Sequence, residues 1–318
     1  MIRPLPPEVA SLLDRGALCH LGLRTTRGMH ATPVVYTVSD HSLWVTTARR
    51  SVKARTWRAD PRVAGLVRTE EGSLVFGGTV RTYDLLDPTT WMASAASAHR
   101  ITAAAVAFTT RNARFFAGYA VDARKVPLSW TPPGRVFARV DLERIALVGA
   151  GGIRTWGRFS PRVGSHESFR APAPPDRAAL DGVPDEVRDR VGVGGPAALA
   201  LGGRHGPLVI PASWLLDRGW PYAAVPQATL ALAGVDADCP ASLTVDHAST
   251  WRASAMTGVL LQGTASMFVI GRLRSGGRSA SAIAKRAGLD PEGAAVIRLN
   301  TERVVWWKGW SGGTVRQA

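Results

Sequence analysis

Short runs of alternating hydrophobic and polar residues dominate the first part of the chain. Residues 18–25, 29–38 and 42–47 alternate in this way, and the turns between them contain Gly28 and Asp40. A period of two places every second side chain on one face, so each run is predicted to be a half-buried β-strand. Such short turns join antiparallel neighbours. The pattern therefore predicts an antiparallel meander.

Helical patterns flank this meander on both sides. Residues 7–15 place their apolar side chains on one face, and residues 51–59 have helical composition up to Asp60 and the proline after it. A proline disfavours helical geometry at the residue before it, so the second helix is predicted to stop there. Strands are predicted at 62–68 and 73–84. Five or six antiparallel strands with one short helix indicate a small barrel.

An alanine-rich stretch at 87–120 then interrupts the strand pattern. Its composition predicts two helices, about 88–97 and 110–120, and leaves the middle unassigned. Phe115 and Phe116 in the second helix are interpreted as core residues, because aromatic pairs at helical spacing pack more often than they bind cofactors.

Several segments of the first half recur, in the same order, in the second. Residues 139–145 (RVDLERI) resemble 298–304 (RLNTERV), and residues 22–33 resemble 200–211. Self-similarity of this kind indicates a duplicated structural unit. We therefore predict two copies of one barrel in a single chain.

The predicted boundaries follow from this repeat. The first copy spans 1–152 and includes the helical insertion 87–120. A connection rich in proline and glycine covers 153–195, with a helix at 185–191. The second copy spans 196–318. The glycines near 149–152 lack the third glycine of a dinucleotide-binding fingerprint, so we predict a strand and a turn there.

The net charge of +15 arises almost entirely from arginine, since lysine occurs only at positions 53, 125, 285 and 308. No Lys/Arg tract with interleaved aromatic residues is present, so specific nucleic-acid binding is not expected. No apolar run approaches the length of a membrane span, and no signal peptide is visible. Two cysteines do not make a disulfide framework. We expect a cytoplasmic protein with reduced thiols that does not bind membranes, whose basic charge helps to recruit an anionic small molecule.

The sequence Arg49-Arg50-Ser51-Val52-Lys53 lies between a predicted strand and a predicted helix. Amides at a helix start, a hydroxyl and one or two cations are the groups that bind phosphate. The alternative is a solvated basic loop in which Ser51 merely caps the helix. The seven histidines show no metal-ligand spacing and no G-x-S-x-G motif is present, so no metal site is expected and the catalytic residues stay unknown.

The wider context resembles the pyridoxamine 5′-phosphate oxidase-like family of flavin-binding split β-barrels. The similarity rests on residues 31–36 (ATPVVY), 43–47 (LWVTT), 51–55 (SVKAR) and 60–63 (DPRV), and it covers about 18–84. The closing segment ERVVWWKGWSGGTVR also resembles the last strands of such domains. The implied fold class is mainly β with inserted helices (α+β), as two fused antiparallel split β-barrels that form an intrachain pseudo-dimer.

The resemblance implies FMN as cofactor, with the deazaflavin coenzyme F-420 as the alternative and haem as a further one. The phosphate would lie on Ser51, Lys53 and Arg49 or Arg50. The ring would lie against the strand edges at Thr32, Pro33, Val34, Thr46 and Thr47.

The second copy departs from this pattern, since the repeat aligns Ser51 with Thr229 and Lys53 with Ala231. We therefore expect one phosphate site, in the first copy. In the family two barrels pair around each cofactor, so residues of the second copy would cover it. Three tryptophans are candidates for this role, although they could instead belong to the barrel core or to a seam between domains: Trp306, Trp307 and Trp310.

The resulting hypothesis is a flavin- or deazaflavin-dependent oxidoreductase that acts on an unidentified small molecule. The cofactor would carry the hydride chemistry while the protein orients it. The alternative is a non-catalytic cofactor-binding, regulatory or haem-binding protein on the same fold. We expect a monomer with an intrachain pseudo-dimer, and further dimerisation is left open.

Overall fold

The computed structural model describes residues 1–84, 86–121, 134–247, 249 and 252–317. No helix in these segments has the length and apolar content needed to cross a membrane. The first barrel and its closing hairpin consist of α1 (Pro7–Arg15), β1 (Cys19–Thr25), β2 (Gly28–Val34), β3 (Tyr36–Ser39), β4 (Ser42–Ala48), α2 (Val52–Ala59), β5 (Arg62–Thr69), β6 (Gly72–Tyr83), β7 (Arg135–Gly149) and β8 (Gly152–Trp156).

These strands form one antiparallel sheet in the order β2-β1-β5-β6-β7-β4-β3, with β8 paired to β7. The predicted strand 29–38 is divided at Val35, so that β2 pairs with β1 while β3 pairs with β4. Because one residue separates β2 from β3, the two ends of the sheet meet in one segment and the sheet closes. The glycines near 149–152 form the turn of the β7–β8 hairpin, as the sequence predicted.

The helical insertion contains more helix than the sequence predicted. After a 3-10 turn come α3 (Trp91–Ala96), α4 (Ala98–Arg111) and α5 (Ala113–Val121), so the unassigned middle is the longest helix. Arg111 holds the insertion on the barrel, because its Nη2 donates to the carbonyls of Leu13 at 2.8 Å and Gly16 at 2.7 Å. The insertion is therefore fixed to the end of α1.

The second half begins with the helix that the sequence predicted in the connection and then repeats the strand pattern. Its elements are α6 (Asp185–Val191), β9 (Gly194–Gly203), β10 (Gly206–Asp217), β11 (Trp220–Pro226), α7 (Gln227–Ala231), β12 (Asp238–His247), β13 (Thr257–Val269), α8 (Gly277–Arg286), β14 (Ala294–Lys308) and β15 (Ser311–Arg316). The strand order is β11-β10-β9-β12-β13-β14-β15, and β11 also pairs with β14. That last pairing closes a six-stranded barrel.

The two barrels share their topology down to a local irregularity. Strand β10 pairs first with β9 and then with β11. In the first barrel two strands divide these pairings, since β2 pairs with β1 and β3 pairs with β4. Both barrels also contain a bulge, at Gly77/Gly78 and at Gln262/Gly263. A Cβ on Gly78 would lie 2.1 Å from the Asp141 carbonyl oxygen, and one on Gly263 would lie 1.9 Å from that of Asn300. The close backbone approach at each bulge therefore requires glycine.

The barrels pack against each other through strand faces and a common core. The Gln262 side chain donates to the Met29 carbonyl at 2.6 Å, and the Thr244 hydroxyl donates to the Ala31 carbonyl at 2.7 Å. Met29 and Ala31 belong to the same buried cluster as most of the second barrel's apolar residues. The surface between the barrels, from here on the seam, is thus continuous with the second core.

Replacement of Gly22 by alanine should destabilise the seam. The new Cβ would lie 2.4 Å from Cγ2 of Val209 in the second barrel, and a short branched side chain has little room to move. Overpacking of this kind costs about 1–3 kcal/mol, so we expect a fall of several degrees in Tm. Gly151→Ala is the matched control, because no atom lies within 4 Å of its Cβ. Equal Tm values for both variants would contradict the close contact.

Candidate functional site

A cleft of about 290 Å³ lies at the end of the first barrel, where the insertion and the second barrel approach it. This volume is at the lower end of the range for small-molecule pockets, about 300–1,000 Å³. Its walls come from the first barrel, from the helical insertion and from the second barrel. The lining residues are Leu18, Thr32, Pro33, Val34, Val35, Thr46, Thr47, Ala48, Ser51, Lys53, Phe115, Arg135, Ala253, Met256, Trp307 and Gly309.

Lys53 supplies a buried positive charge to this cleft. It occupies the first turn of α2, and its side chain is directed back towards β2, where Nζ donates to Thr32 Oγ1. Only 9% of the residue is exposed. An ammonium group has three donors, yet Thr32 is its single hydrogen-bond acceptor among the described residues. No carboxylate in those segments lies within 4.0 Å of it, so the charge lacks a protein counter-ion.

The surroundings of Lys53 disfavour its charge. Burial, and then the positive charge of Arg135, lower the pKa of Lys53 from 10.5 to about 8. Burial, and then the charges of Lys53 and Arg303, lower the pKa of His30 to about 3, so that imidazole is neutral. Burial raises the pKa of Cys19 to about 12. The titratable neighbours in the described segments therefore supply no negative charge to Lys53. An anionic ligand would offset the cost of burying its ammonium group.

Ser51 organises the start of α2. It is the N-cap residue, and its Oγ accepts the Ala54 amide at 3.1 Å. The same oxygen lies 2.9 Å from Oγ1 of Thr47. Because the first amides of a helix have no acceptor within the helix, those of Val52 and Lys53 remain available near the cleft. Hydroxyls, amides and an ammonium group thus meet at one end, which suits an anion.

Arg135 supplies the second cation of the cleft, and the sequence analysis did not identify it. It begins β7, which pairs with the end of β4, so that Ala48 and Arg135 are register partners. Its Nε and Nη2 donate to Oγ1 of Thr46 at 2.9 and 2.6 Å, and Nη2 also donates to the Thr46 carbonyl at 3.0 Å. These bonds fix the guanidinium group beside the basic end of the cleft.

The remaining walls are largely apolar. Val34 and Leu18 come from the first barrel, and Phe115 comes from α5 of the insertion, where it is 5% exposed. The interpretation of Phe115 as a core residue alone was therefore incomplete. Met256 and Trp307 extend the wall from the second barrel. A ligand with one anionic end and a flat apolar body fits this division.

Of the three tryptophans considered as cover, Trp307 lines the cleft. Trp306 packs instead against the core that the seam shares, and Trp310 is not among the lining residues. The second barrel therefore contributes to the cleft walls through Ala253, Met256, Trp307 and Gly309.

The structure brings together most of the site residues that the sequence predicted. Those that line the cleft are Thr32, Pro33, Val34, Thr46, Thr47, Ser51 and Lys53. Arg49 and Arg50 do not line it. The Arg49 guanidinium bonds to Asp84 at 2.7 to 3.0 Å, and Arg50 is exposed. Among the described arginines, Arg135 lines the cleft instead.

The second barrel provides an internal comparison. The Arg49 amide donates to the Gly134 carbonyl, and the Gln227 amide donates to the Gly293 carbonyl, so these positions correspond. The residues after the two glycines are Arg135 and Ala294. The same register aligns Lys53 with Ala231. The two cations that the described residues bring to the cleft are thus alanines in the second barrel, whose fold does not require them.

None of the seven histidines lines the cleft. Among the described segments, no group of three or more His, Cys, Asp or Glu side chains is arranged to hold a metal ion.

Residues 6–93 match the family model described as pyridoxamine 5′-phosphate oxidase. This match confirms, for that part of the chain, the resemblance that the sequence indicated. It includes β1 to β6 and all of the predicted site residues, and it ends before Arg135. No curated protein matches the chain.

Solved structures of several bacterial proteins are similar to about half of this chain. A pyridoxamine 5′-phosphate oxidase-related, FMN-binding protein from Nostoc punctiforme is 15% identical, with a TM-score of 0.36, and the match covers 49% of this chain and 91% of that one. A pyridoxamine 5′-phosphate oxidase homologue from Listeria innocua is 13% identical, with a TM-score of 0.29 and coverage of 44% and 95%. A haem-binding protein from Mycobacterium smegmatis is 14% identical, with a TM-score of 0.33 and coverage of 48% and 59%.

Proposed function

We propose that this chain, whose first barrel has the pyridoxamine 5′-phosphate oxidase-like fold, binds FMN in the cleft and acts as an FMN-dependent oxidoreductase on a small molecule. The observation that carries the proposal is the buried ammonium group of Lys53. It has no carboxylate partner in the described segments, and the positive charge of Arg135 lies close to it. A phosphate would supply the missing negative charge. The deazaflavin coenzyme F-420 is the alternative, because its phosphate would suit the same two cations.

The protein's own groups have distinct roles in this proposal. Lys53, Arg135 and the start of α2 would hold the phosphate. Phe115 and Trp307 would contact the flat ring and exclude water from it. When bound, the flavin would supply the hydride chemistry. Among the described residues, no carboxylate or histidine lines the cleft as an acid or base, which is consistent with chemistry carried by a cofactor.

The second barrel completes the cleft within one chain. Because Met256 and Trp307 of the second barrel line the cleft, we expect the protein to bind its cofactor as a monomer. Because Ala231 and Ala294 replace both cations, we expect one FMN per chain. Haem is disfavoured, since no histidine lines the cleft.

A titration that compares FMN with riboflavin tests the phosphate site. Arg135→Met should weaken FMN binding about ten- to hundredfold, the effect of losing one charge-assisted contact of about 1.5–3 kcal/mol. Riboflavin lacks the phosphate, so its weaker affinity should change little. Quenching of flavin fluorescence gives both constants. Equal losses for the two ligands would mean that Arg135 does not bind the phosphate.

Reduction of the bound flavin tests the oxidoreductase assignment. The FMN-loaded protein should be bleached by NADH, by NADPH or by reduced deazaflavin, and reoxidised by an organic acceptor. A protein that binds FMN tightly and exchanges no hydride with any donor would instead be a cofactor-binding protein. Failure to bind either FMN or the deazaflavin would overturn the proposal itself.

A further inference from the structure

Lys53 differs from the other two lysines that the structure describes. Lys285 and Lys308 are exposed, and Lys308 forms an ion pair with Glu186. Lys53 is 9% exposed, lines a cleft, and contacts a hydroxyl group rather than a carboxylate. An amine held this way is not consumed by a salt bridge and remains open to a small ligand.

A substantial fraction of Lys53 is in the neutral form near neutral pH. With a pKa of about 8, roughly a quarter of the molecules carry a neutral amine at pH 7.5. For an ordinary lysine with a pKa of ~10.4 the fraction is about one in a thousand. The neutral amine is the nucleophilic form, and desolvation beside a second cation is a recognised way to produce it. Arg135 is that second cation.

We propose that Lys53 is a nucleophilic amine, and that in the cofactor-free protein it condenses with small aldehydes that bear a phosphate or carboxylate group. The proposal rests on the proposed function in one respect, since the anion would occupy the subsite that the FMN phosphate otherwise fills. Arg135 and the start of α2 would hold the anionic group while the aldehyde carbon approaches Nζ.

The reaction needs no oxidant or metal. The Nζ lone pair attacks the carbonyl carbon, a C–N bond forms, and the carbonyl oxygen leaves as water with the two amine protons. The product is an imine between Lys53 and the aldehyde carbon. Thr32 Oγ1, which accepts a hydrogen bond from Nζ, lies beside the reacting nitrogen and would orient it. The site would therefore select aldehydes by charge and by size.

Pyridoxal 5′-phosphate and pyridoxal form a matched pair of probes, since they differ by the phosphate alone. The full-length, flavin-free protein is incubated with each at pH 7.5, treated with borohydride to reduce any imine to a stable amine, and digested for peptide mass spectrometry. We expect labelling of Lys53 by the phosphorylated probe about tenfold or more above that of Lys285, given its larger neutral fraction. With pyridoxal the preference should be several times smaller, because the anion subsite no longer contributes, and what remains should reflect the larger neutral fraction of Lys53.

Lys53→Arg keeps the positive charge but cannot form an imine. It should lose the absorbance of the imine near neutral pH while a thermal unfolding curve shows that it is folded. Labelling spread evenly over the exposed lysines, with no excess at Lys53, would overturn the proposal.

Protection by FMN separates this proposal from the proposed function. If both hold, saturating FMN should abolish labelling at Lys53 and leave Lys285 unaffected. Selective labelling that FMN does not prevent would support the nucleophilic lysine and count against the cofactor site. Tight FMN binding without selective labelling of the flavin-free protein would support the cofactor site and count against the nucleophilic lysine.

Discussion

Lys53→Met should make the flavin-free protein more stable while it abolishes most of its affinity for FMN. The ammonium group of Lys53 is buried with one hydroxyl partner, and this burial lowers its pKa from 10.5 to about 8. At 1.36 kcal/mol per pKa unit, the charged form costs the folded state about 3 kcal/mol. Methionine has a similar length and no charge, so part of this cost should be regained. FMN binding should weaken about ten- to hundredfold, since one charge-assisted contact is lost.

The stabilisation should depend on pH in a defined direction. Because the pKa of Lys53 is lower in the folded state, the unfolded chain binds more protons between pH 8 and about 10.4, and the stability of the unmodified protein rises with pH there. The methionine variant lacks this rise. The difference in Tm should therefore be largest below pH 8 and vanish above about pH 10.

Thermal unfolding of the flavin-free proteins across pH 6–10 measures this difference. Lys285→Met is the control, because Lys285 is exposed at the end of α8 and its loss should change neither stability nor FMN affinity. A methionine variant at position 53 that is less stable than the unmodified protein at every pH would show that Lys53 is satisfied in the folded state.

Asp84→Ala should destabilise the protein strongly although Asp84 touches no ligand. Its side chain is 3% exposed, accepts Nε and Nη2 of Arg49, and accepts the Leu86 amide at 3.0 Å. Removal of one member of a buried ion pair costs about 3–5 kcal/mol, because the other charge is left without a partner. Arg49 is 23% exposed, so a value near the lower limit, about 3 kcal/mol, is expected.

Denaturant unfolding of Asp84→Ala should thus show a much lower midpoint at an unchanged slope. The matched control is Arg50→Ala, since Arg50 is adjacent in sequence but exposed, and surface changes of this kind stay within about 0.5 kcal/mol. Similar falls in the unfolding midpoint for both variants would contradict the prediction, because the buried ion pair would then contribute no more to stability than an exposed arginine.

The two arginines also show where sequence reasoning reached its limit. Ser51 and Lys53 could be identified because the chemistry of a helix start is local: an N-cap residue, free amides and a cation within one turn. Arg49 shares that local context, but its partner Asp84 lies beyond β6 and decides where the guanidinium points. Arg135 reaches the cleft only through the pairing of β7 with β4, a long-range contact that no local pattern encodes.

A signal for Arg135 was nevertheless present in the repeat. The alignment of residues 139–145 with 298–304, extended back a few positions, places Arg135 against Ala294. The second copy thus lacks both cations, and a search for cations lost from one copy would have found Arg135. The strands themselves were predictable from their alternating residues and their turns, although β1 and β4 are buried along most of their length rather than half-buried. Helix α4 was not, since alanines occupy both its buried face (Ala104) and its exposed face (Ala103 and Ala105), so that the two faces differ little in sequence.

The continuous core at the seam bears on how a single site could arise. In an assembly of two identical chains, every substitution enters both barrels, so a cation cannot be removed from one site and kept in the other. A covalent join removes this symmetry and also keeps the second barrel at a high effective concentration. If the chain has one FMN site, as we propose, the second barrel is free to act as a scaffold that contributes Met256 and Trp307 to the wall of the cleft.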